Sequence, residues 1–479
     1  MPITQWENIY SKYSKIIFII EIFKRGEGQV TKTSTDVLIV GGSAAGLSVA
    51  NSTCVWYPDK KVTVVRNVPY TVVPCGIPYI YGTLNSVVKD KIPDEGYLDK
   101  GVNFIIGTVI DVDRNNKTAK LSDGSEISYE KLVIGTGSKP VMPPIKGINL
   151  KNVFPIEKDP DFLENLGATL EGIKDIVVIG GGFIGVEMAE QIKLKGDYNV
   201  TLLEALPRCL LAACEEEAGL KIEEQLEKLG VKVSTNKMAK SIVGTDKVEG
   251  VELATGEMLE ADMVVLGIGA APNVDLAEKI GLEVDKKMGI VVDEYMRTID
   301  KDIFACGDCC TKFSIITGKP SAIRLASVAT SEGLIVGSNL YSLNRKTRGA
   351  VGAFATRVGE VAVAAAGFTE KMANDNGCDY YLGEITAPDR HPGSLPGCTM
   401  ETKVKLLFNK KNDRLIGGHV IGGFQAADMV NILALAIQQQ VTADELAISQ
   451  YATHPLLTGS PLVYQIMWAA ENAIINKKK

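Results

Sequence analysis

The sequence predicts an α/β fold with two strand–glycine turn–helix–strand units in tandem and a C-terminal domain of different, α+β, character. Three observations predict it. The continuous apolar run Asp36-Val-Leu-Ile-Val40 leads directly into Gly41-Gly-Ser-Ala-Ala-Gly46, and a second strand pattern follows at 61–65. The same order returns at 175–179, 180–185 and 199–203. Beyond residue 345 the pattern changes to strand-like alternation near 352–366 and 403–422, then helix-like runs near 426–440 and 461–475. At roughly 150 residues per domain, a chain of 479 residues holds about three such bodies.

Composition narrows the function classes. Apolar residues make up 46% and charged residues 23%, a balance that supports large cores and differs from that of a disordered chain. Lys and Arg number 51 against 58 Asp and Glu, a net charge of −7; with no basic excess to neutralise phosphates, nucleic acid is not expected as a partner. The nine cysteines are odd in number and scattered, unlike a secreted disulfide scaffold, so a reducing, cytoplasmic setting is expected. The apolar stretch 16–23 contains Glu21 and is far shorter than the roughly 18–20 residues of a membrane span. Lys12 and Lys15 precede it as in a signal peptide, yet no small-residue cleavage site follows. Residues 1–33 are therefore read as an extension, and no membrane span is expected.

In the first unit the glycines fall at the strand-to-helix turn, where backbone approaches a pyrophosphate and the helix N-terminus favours its negative charge. Gly41, Ala44 and Gly46 fit that turn, while Ser43 takes the place of the middle glycine in G-x-G-x-x-G. Alone, such a match is weak, and its competing reading is a tight turn with no ligand. The second unit is complete: Gly180, Gly182 and Gly185, with Phe183 and Ile184 between them, are followed 19 residues after the last glycine by Glu204. That acid can accept hydrogen bonds from a ribose diol. A 2′-phosphate would meet a like charge there, so NADH is expected over NADPH. Two Rossmann-like dinucleotide-binding domains in one chain suggest a relay between a flavin and a nicotinamide, whose chemistry side chains cannot supply.

In this order the motifs resemble the two-dinucleotide flavoproteins of the pyridine nucleotide-disulfide oxidoreductase family, over about residues 34–479. The loop 41–46 resembles the FAD pyrophosphate loop, Thr136-Gly-Ser-Lys-Pro140 the turn before the NAD domain, and residues 298–308 the motif T-x6-A-x-G-D. The resemblance implies that Asp308 holds the ribityl chain of FAD. It also implies that Leu325, Ala326 and Ser327 open a helix aimed at the flavin pyrimidine, and that Val109, Thr136, Gly137 and Gly269 lie against the cofactors. The implied organisation is an FAD-binding domain at 34–150 and 289–345, an NAD(H)-binding domain at 151–288, and a homodimer formed through 346–479. One position departs from the pattern. Arg66 stands where an acid normally takes the adenosine ribose, and it is read either as a donor to pyrophosphate or ribose or as a solvated strand-end arginine.

The segment Val73-Pro-Cys75-Gly-Ile-Pro-Tyr79 resembles the family's single-cysteine branch, the coenzyme A-disulfide reductases, NADH oxidases, NADH peroxidases and persulfide reductases. Two-cysteine disulfide reductases carry C-x4-C here, but residue 80 is Ile, so no paired thiol forms in the segment. The resemblance implies that Cys75 faces the flavin and cycles between thiolate and a mixed disulfide, persulfide or sulfenic acid. A helix starting near Gly76 and a lowered thiol pKa are expected, since a helix N-terminus stabilises a thiolate. The competing reading of Cys75 is a buried apolar residue.

The remaining cysteines and histidines test alternatives. Cys306 and Cys309 form C-x-x-C, but without a second pair at zinc spacing they are read as small residues beside the flavin-domain core, and no metal site is expected. The proton-transfer pair H-P-x-x-x-E is missing from His454-Pro-Leu-Leu-Thr-Gly459, and Ala44 replaces the loop histidine of peroxide- and oxygen-reducing relatives. In Asp389-Arg-His-Pro-Gly393, Arg390 and His391 are read as binding an anionic substrate or protonating a leaving sulfur, or as a solvated turn. The expected function is an FAD-dependent reductase that passes electrons from NADH, with NADPH as the lesser donor, through Cys75 to a small disulfide, persulfide or polysulfide. Coenzyme A is the substrate-derived ligand of such a reading. An NADH oxidase and an electron-transfer reductase for a small redox protein stay open.

Overall fold

The computed structural model describes residues 31–392, 394–396 and 400–479; the stretch 16–23, Gly393 and Cys398 lie outside the described residues. Among the described residues no helix is long and apolar enough to cross a membrane.

Val37–Val40 is buried at every position, as its unbroken apolar run requires of a strand covered on both faces. It is the central strand of a five-stranded parallel sheet, flanked by Lys131–Ile134 and Ile303–Ala305 on one side and by Val62–Arg66 and Asn103–Ile106 on the other. The helix Ala44–Trp56 packs against Ala326–Asn339 through small residues. A Cβ on Gly333 would stand 2.6 Å from that of Ser48, and Ser48 Oγ donates to the Thr330 oxygen at 2.7 Å. Lys32–Ser34 pairs with Glu126–Ser128 at the edge of a second, four-stranded sheet. Lys32 and Thr33, expected in the extension, therefore belong to the folded body.

The second unit repeats the plan: Val153–Pro155, Met263–Leu266, Asp175–Ile179, Asn199–Leu203 and Lys232–Ser234 form a parallel sheet in that order. Two crossings join the units, and they pair with each other, Ser138–Pro140 against Ala270–Pro272. The expected boundary at 288 is corrected here. Val274, Ala277 and Leu282 pack in the same core as Val37 and Ile290, so the chain has already returned to the first unit after Pro272. The polar, lysine-rich surface of 275–288 hid this buried side.

The C-terminal domain is a five-stranded antiparallel sheet ordered Ala353–Val358, Val361–Gly367, Leu415–Gly422, Glu401–Asn409 and Tyr380–Pro388. Strand period two divides its faces. Ala362, Ala364 and Ala366 pack with the helices Ala426–Gln438 and Gln465–Lys478, whereas Val363 and Ala365 pack on the second unit. At Gly383 a Cβ would stand 2.1 Å from the Ala469 oxygen, so only glycine lets the last helix lie this close.

Candidate active site

The two glycine loops are built by the same close approaches. A Cβ on Gly41 (φ +114°) would stand 2.1 Å from the Gly135 oxygen, and one on Gly46 1.8 Å from the Gly41 oxygen. In the second loop, a Cβ on Gly180 (φ +106°) would stand 2.7 Å from the Gly267 oxygen and one on Gly185 1.7 Å from the Gly180 oxygen. The middle position is different: a Cβ on Gly182 would meet nothing within 4 Å. That room explains why Ser43 can replace glycine there. Ser43 and Gly182 start their helices with no side-chain cap, as does Leu325 before Ala326 and Ser327. N–H groups at such helix starts are left without a side-chain partner, and groups of this kind can donate to anionic oxygens.

Asp308 lies at the end of Ile303–Ala305, where its carboxylate accepts from Ser138 Oγ at 2.8 Å and Lys158 Nζ at 3.4 Å. Its loop is clamped from behind by two buried charges: Gly307 N–H donates to Glu332 at 2.8 Å, and Lys312 Nζ donates to the Gly307 oxygen at 2.5 Å. Cys306, Cys309 and Cys310 are buried beside this clamp, and burial pushes their thiols up. Cys309 Sγ donates to the Ile134 and Cys306 oxygens, so these thiols act as neutral packing groups.

At the second loop, Glu204 accepts from Gly181 N–H at 2.5 Å and Leu206 N–H at 2.7 Å. Arg208, four residues beyond Glu204, is turned to Glu216 and Glu223 at 3.6 Å each. Phe183 packs on Phe354 of the C-terminal domain with ring centroids 4.8 Å apart, and Ile184 is half-buried. Thr136 Oγ1 donates to the Asn273 oxygen at 2.7 Å, tying the two crossings together beside Gly137 (φ +68°) and Gly269 (φ +99°). Val109 is buried in the four-stranded sheet, Val109–Asp113 pairing with Thr118–Leu121.

Arg66 overturns the reading as a solvated arginine. Its side chain is 4% exposed, paired with Asp94 and stacked on Phe104 with the guanidinium 4.7 Å from the ring centroid. Nη2 also donates to the Pro69 oxygen at 2.8 Å, and Nε alone lacks a partner. Gly42 lies over this side chain, where a Cβ would stand 3.0 Å from Arg66 Cδ.

Cys75 is exposed, contrary to the buried-residue reading. Its segment is tied to both units: Thr71 Oγ1 donates to the Gly42 oxygen of the first loop at 2.5 Å, and Thr83 Oγ1 donates to Gln191, behind the second loop, at 2.7 Å. The expected helix from Gly76 is absent; turns lead instead into a five-residue π-helix, Ile80–Leu84. A Cβ on Gly76 would stand 1.9 Å from Asp90 Oδ1, so a larger residue there would displace that side chain. The expected low pKa is also reversed in the chain by itself. Desolvation and then the Glu187 charge push the thiol up, and Lys158 opposes them. Without a helix of useful length beneath it, the sulfur receives no compensating dipole.

Arg390 Nη1 donates to Asp389 at 2.9 Å and His391 is exposed, both in the segment leading to Glu401–Asn409. No hydrogen bond or ion pair among the described residues joins them to the Cys75 segment. Lys158, Asp90 and Glu187 are charges at the site that the sequence reading missed. None sits at a motif position, and each is brought to the site by the packing of separate elements.

Fold and site together define a two-dinucleotide oxidoreductase. The chain matches the family Pyridine nucleotide-disulphide oxidoreductase over residues 35–333 and that family's dimerisation domain over residues 355–462, and it belongs to this family. It is 30% identical over 453 residues to an NADH oxidase of Methanocaldococcus jannaschii, covering 91% of this chain and 98% of that one. It is 33% identical over 396 residues to an NAD(P)H coenzyme A polysulfide/persulfide reductase of Pyrococcus horikoshii, covering 81% and 87%. The solved structure of an NAD-dependent persulfide reductase from A. fulgidus superposes with a TM-score of 0.85 at 33% identity, covering 92% of this chain and 83% of that chain.

Proposed function

We propose that this protein passes electrons from NADH through FAD and Cys75 to a small disulfide, persulfide or polysulfide. The observation that carries the reading is an exposed thiol on a segment hydrogen-bonded to both dinucleotide units. Gly41, Ser43, Ala44, Gly46, Arg66, Val109, Thr136, Gly137, Asp308 and the helix start at Leu325, Ala326 and Ser327 would hold FAD. Gly180, Gly182, Phe183, Ile184, Gly185, Glu204 and Gly269 would hold NADH. When bound, these cofactors supply the two electrons that a sulfur–sulfur bond takes up on reduction. The Cys75 thiolate attacks that bond, one substrate sulfur leaves as thiol or sulfide, and the other is carried in a mixed disulfide or persulfide. Coenzyme A fits as the substrate-derived group, in keeping with the P. horikoshii relative.

The chain works as a homodimer. Phe424, Ile448, Leu457 and Leu462 are exposed apolar residues within the stretch matched to the dimerisation domain, and a partner would remove them from water. With the loop 389–392 on the same domain, Arg390 and His391 would serve the partner's site. The eight described cysteines are all free, which supports a cytoplasmic setting.

A second reading, reduction of oxygen at the flavin, is favoured by the M. jannaschii relative. It is opposed by Ala44, whose methyl group has no proton to give. Steady-state NADH consumption with coenzyme A disulfide, polysulfide, peroxide and oxygen separates the readings. Turnover should require a sulfur substrate; oxygen-driven turnover of equal rate would select the second.

A further inference from the structure

Three elements proposed to hold FAD converge on Gly307, the residue before Asp308. Its backbone is left-handed (φ +82°), and a Cβ there would stand 2.8 Å from that of Ala45 and 3.5 Å from that of Ala329. Ala45 opens the helix behind the first glycine loop, and Ala329 lies in the first turn of Ala326–Asn339. Two buried charges hold this one residue from both sides. Glu332 Oε2 accepts from Gly307 N–H at 2.8 Å, while Lys312 Nζ donates to the Gly307 oxygen at 2.5 Å and to the Cys310 oxygen at 3.1 Å. The two charges meet at 3.4 Å, with side chains only 3% and 8% exposed for Lys312 and Glu332. The Cys310 thiol completes the cluster, donating to Glu332 at 3.6 Å. Glu332 is the one charged residue of its helix. It follows Ser327 by five residues, so it lies about 7.5 Å along the axis from the helix start.

Stability alone does not account for the pair. Well-packed apolar residues in place of a buried ion pair are often neutral or stabilising, and the neighbours Ala329, Gly333 and Val336 on this helix are small or apolar and buried. We infer that Lys312 and Glu332 are positioning residues for the flavin: they fix Asp308 through Gly307, and their opposed charges set the electron affinity of the ring bound there. Reduced flavin carries negative charge that the oxidised form lacks. An unmatched cation nearby therefore favours reduction and an unmatched anion opposes it, and in a low-dielectric interior such a charge acts well beyond contact distance. In the native protein each charge offsets the other. This inference rests on FAD being held at Asp308.

The test is an anaerobic redox titration of the FAD-loaded protein against a reference dye, followed at the flavin absorbance, beside the FAD-to-protein ratio after gel filtration. Glu332→Gln keeps an oxygen for the Gly307 N–H but removes the charge. FAD should stay bound, and the flavin potential should become less negative because Lys312 is left unmatched. Lys312→Met leaves Glu332 unmatched and the Gly307 oxygen without its donor. Its potential should become more negative, and FAD should bind about tenfold more weakly, the cost of a buried group left unpaired. A purely structural role would loosen FAD without moving the two potentials in opposite directions. Shifts of one sign in both variants, or native potentials in FAD-loaded protein, would overturn the inference and leave the pair as a backbone tie. Should Glu332→Gln not fold, Lys312→Met decides alone: a native or less negative potential overturns it. A native protein that takes up no FAD would instead remove the reading of Asp308, and the inference with it.

Discussion

Arg66 and Asp94 form a two-point ion pair at the end of the strand Val62–Arg66, with Nη1 and Nη2 donating to the two carboxylate oxygens at 2.8 and 2.6 Å. The pair stands beside the first glycine loop, against Gly42. Removing Asp94 leaves a buried guanidinium with one backbone acceptor, a loss of about 3–5 kcal/mol for a broken buried pair. Asp94→Ala should therefore lower the thermal midpoint markedly and loosen FAD. An unchanged midpoint would show that Arg66 reaches water or another acceptor.

Asp308→Ala should weaken flavin retention. A buried ligand hydroxyl left without its acceptor costs about 1–3 kcal/mol, and the substitution also frees Ser138 and Lys158. The FAD-to-protein ratio after gel filtration should fall well below that of the native protein; equal ratios would contradict the assignment.

NADH should be the better donor. Glu204 is fixed by two backbone N–H groups, and Arg208 is engaged elsewhere, so a 2′-phosphate meets a held negative charge. A like-charge contact of at least about 1 kcal/mol corresponds to about a fivefold preference. The ratio of kcat/KM values for NADH and NADPH measures it, and Glu204→Ala should narrow that ratio.

Asp90 gives a pH-dependent stability. Burial raises its carboxyl to about 6, above the roughly 3.9 of an unfolded chain. A raised folded pKa means that the folded state holds the proton more tightly. Its stabilising contribution is therefore complete below about pH 4 and is lost as pH rises through about 6. Asp90→Asn carries no such penalty, so its thermal midpoint should gain on the native one between pH 4 and 7. A constant difference across that range would show that Asp90 is not desolvated.

The parallel sheets and glycine loops were legible because their signals are local: an unbroken apolar strand, then glycines that contact backbone a few residues away. Ser43 read as a flaw in a motif, yet its position has open space in the equivalent turn. What the sequence hid depends on contacts between distant segments. The partner of Arg66 lies 28 residues on, and Glu187 owes its environment to Thr356, 169 residues away. The strand Tyr380–Pro388 has weak alternation of its own and is defined by its pairing with Glu401–Asn409. The raised Cys75 thiol was likewise invisible, because its causes are desolvation by neighbouring elements and then the Glu187 charge, both brought to the thiol by packing between distant segments.

The central claim is that sulfur chemistry passes through Cys75. Cys75→Ser should keep the fold, the bound flavin and its reduction by NADH, because the segment is held by Thr71 and Thr83 and not by the sulfur. Serine's far more basic hydroxyl cannot form the sulfur–sulfur intermediate. The most direct measurement is NADH consumption by Cys75→Ser with coenzyme A disulfide or polysulfide under anaerobic conditions: the account predicts loss of turnover with flavin reduction intact, and turnover at the native rate would contradict it.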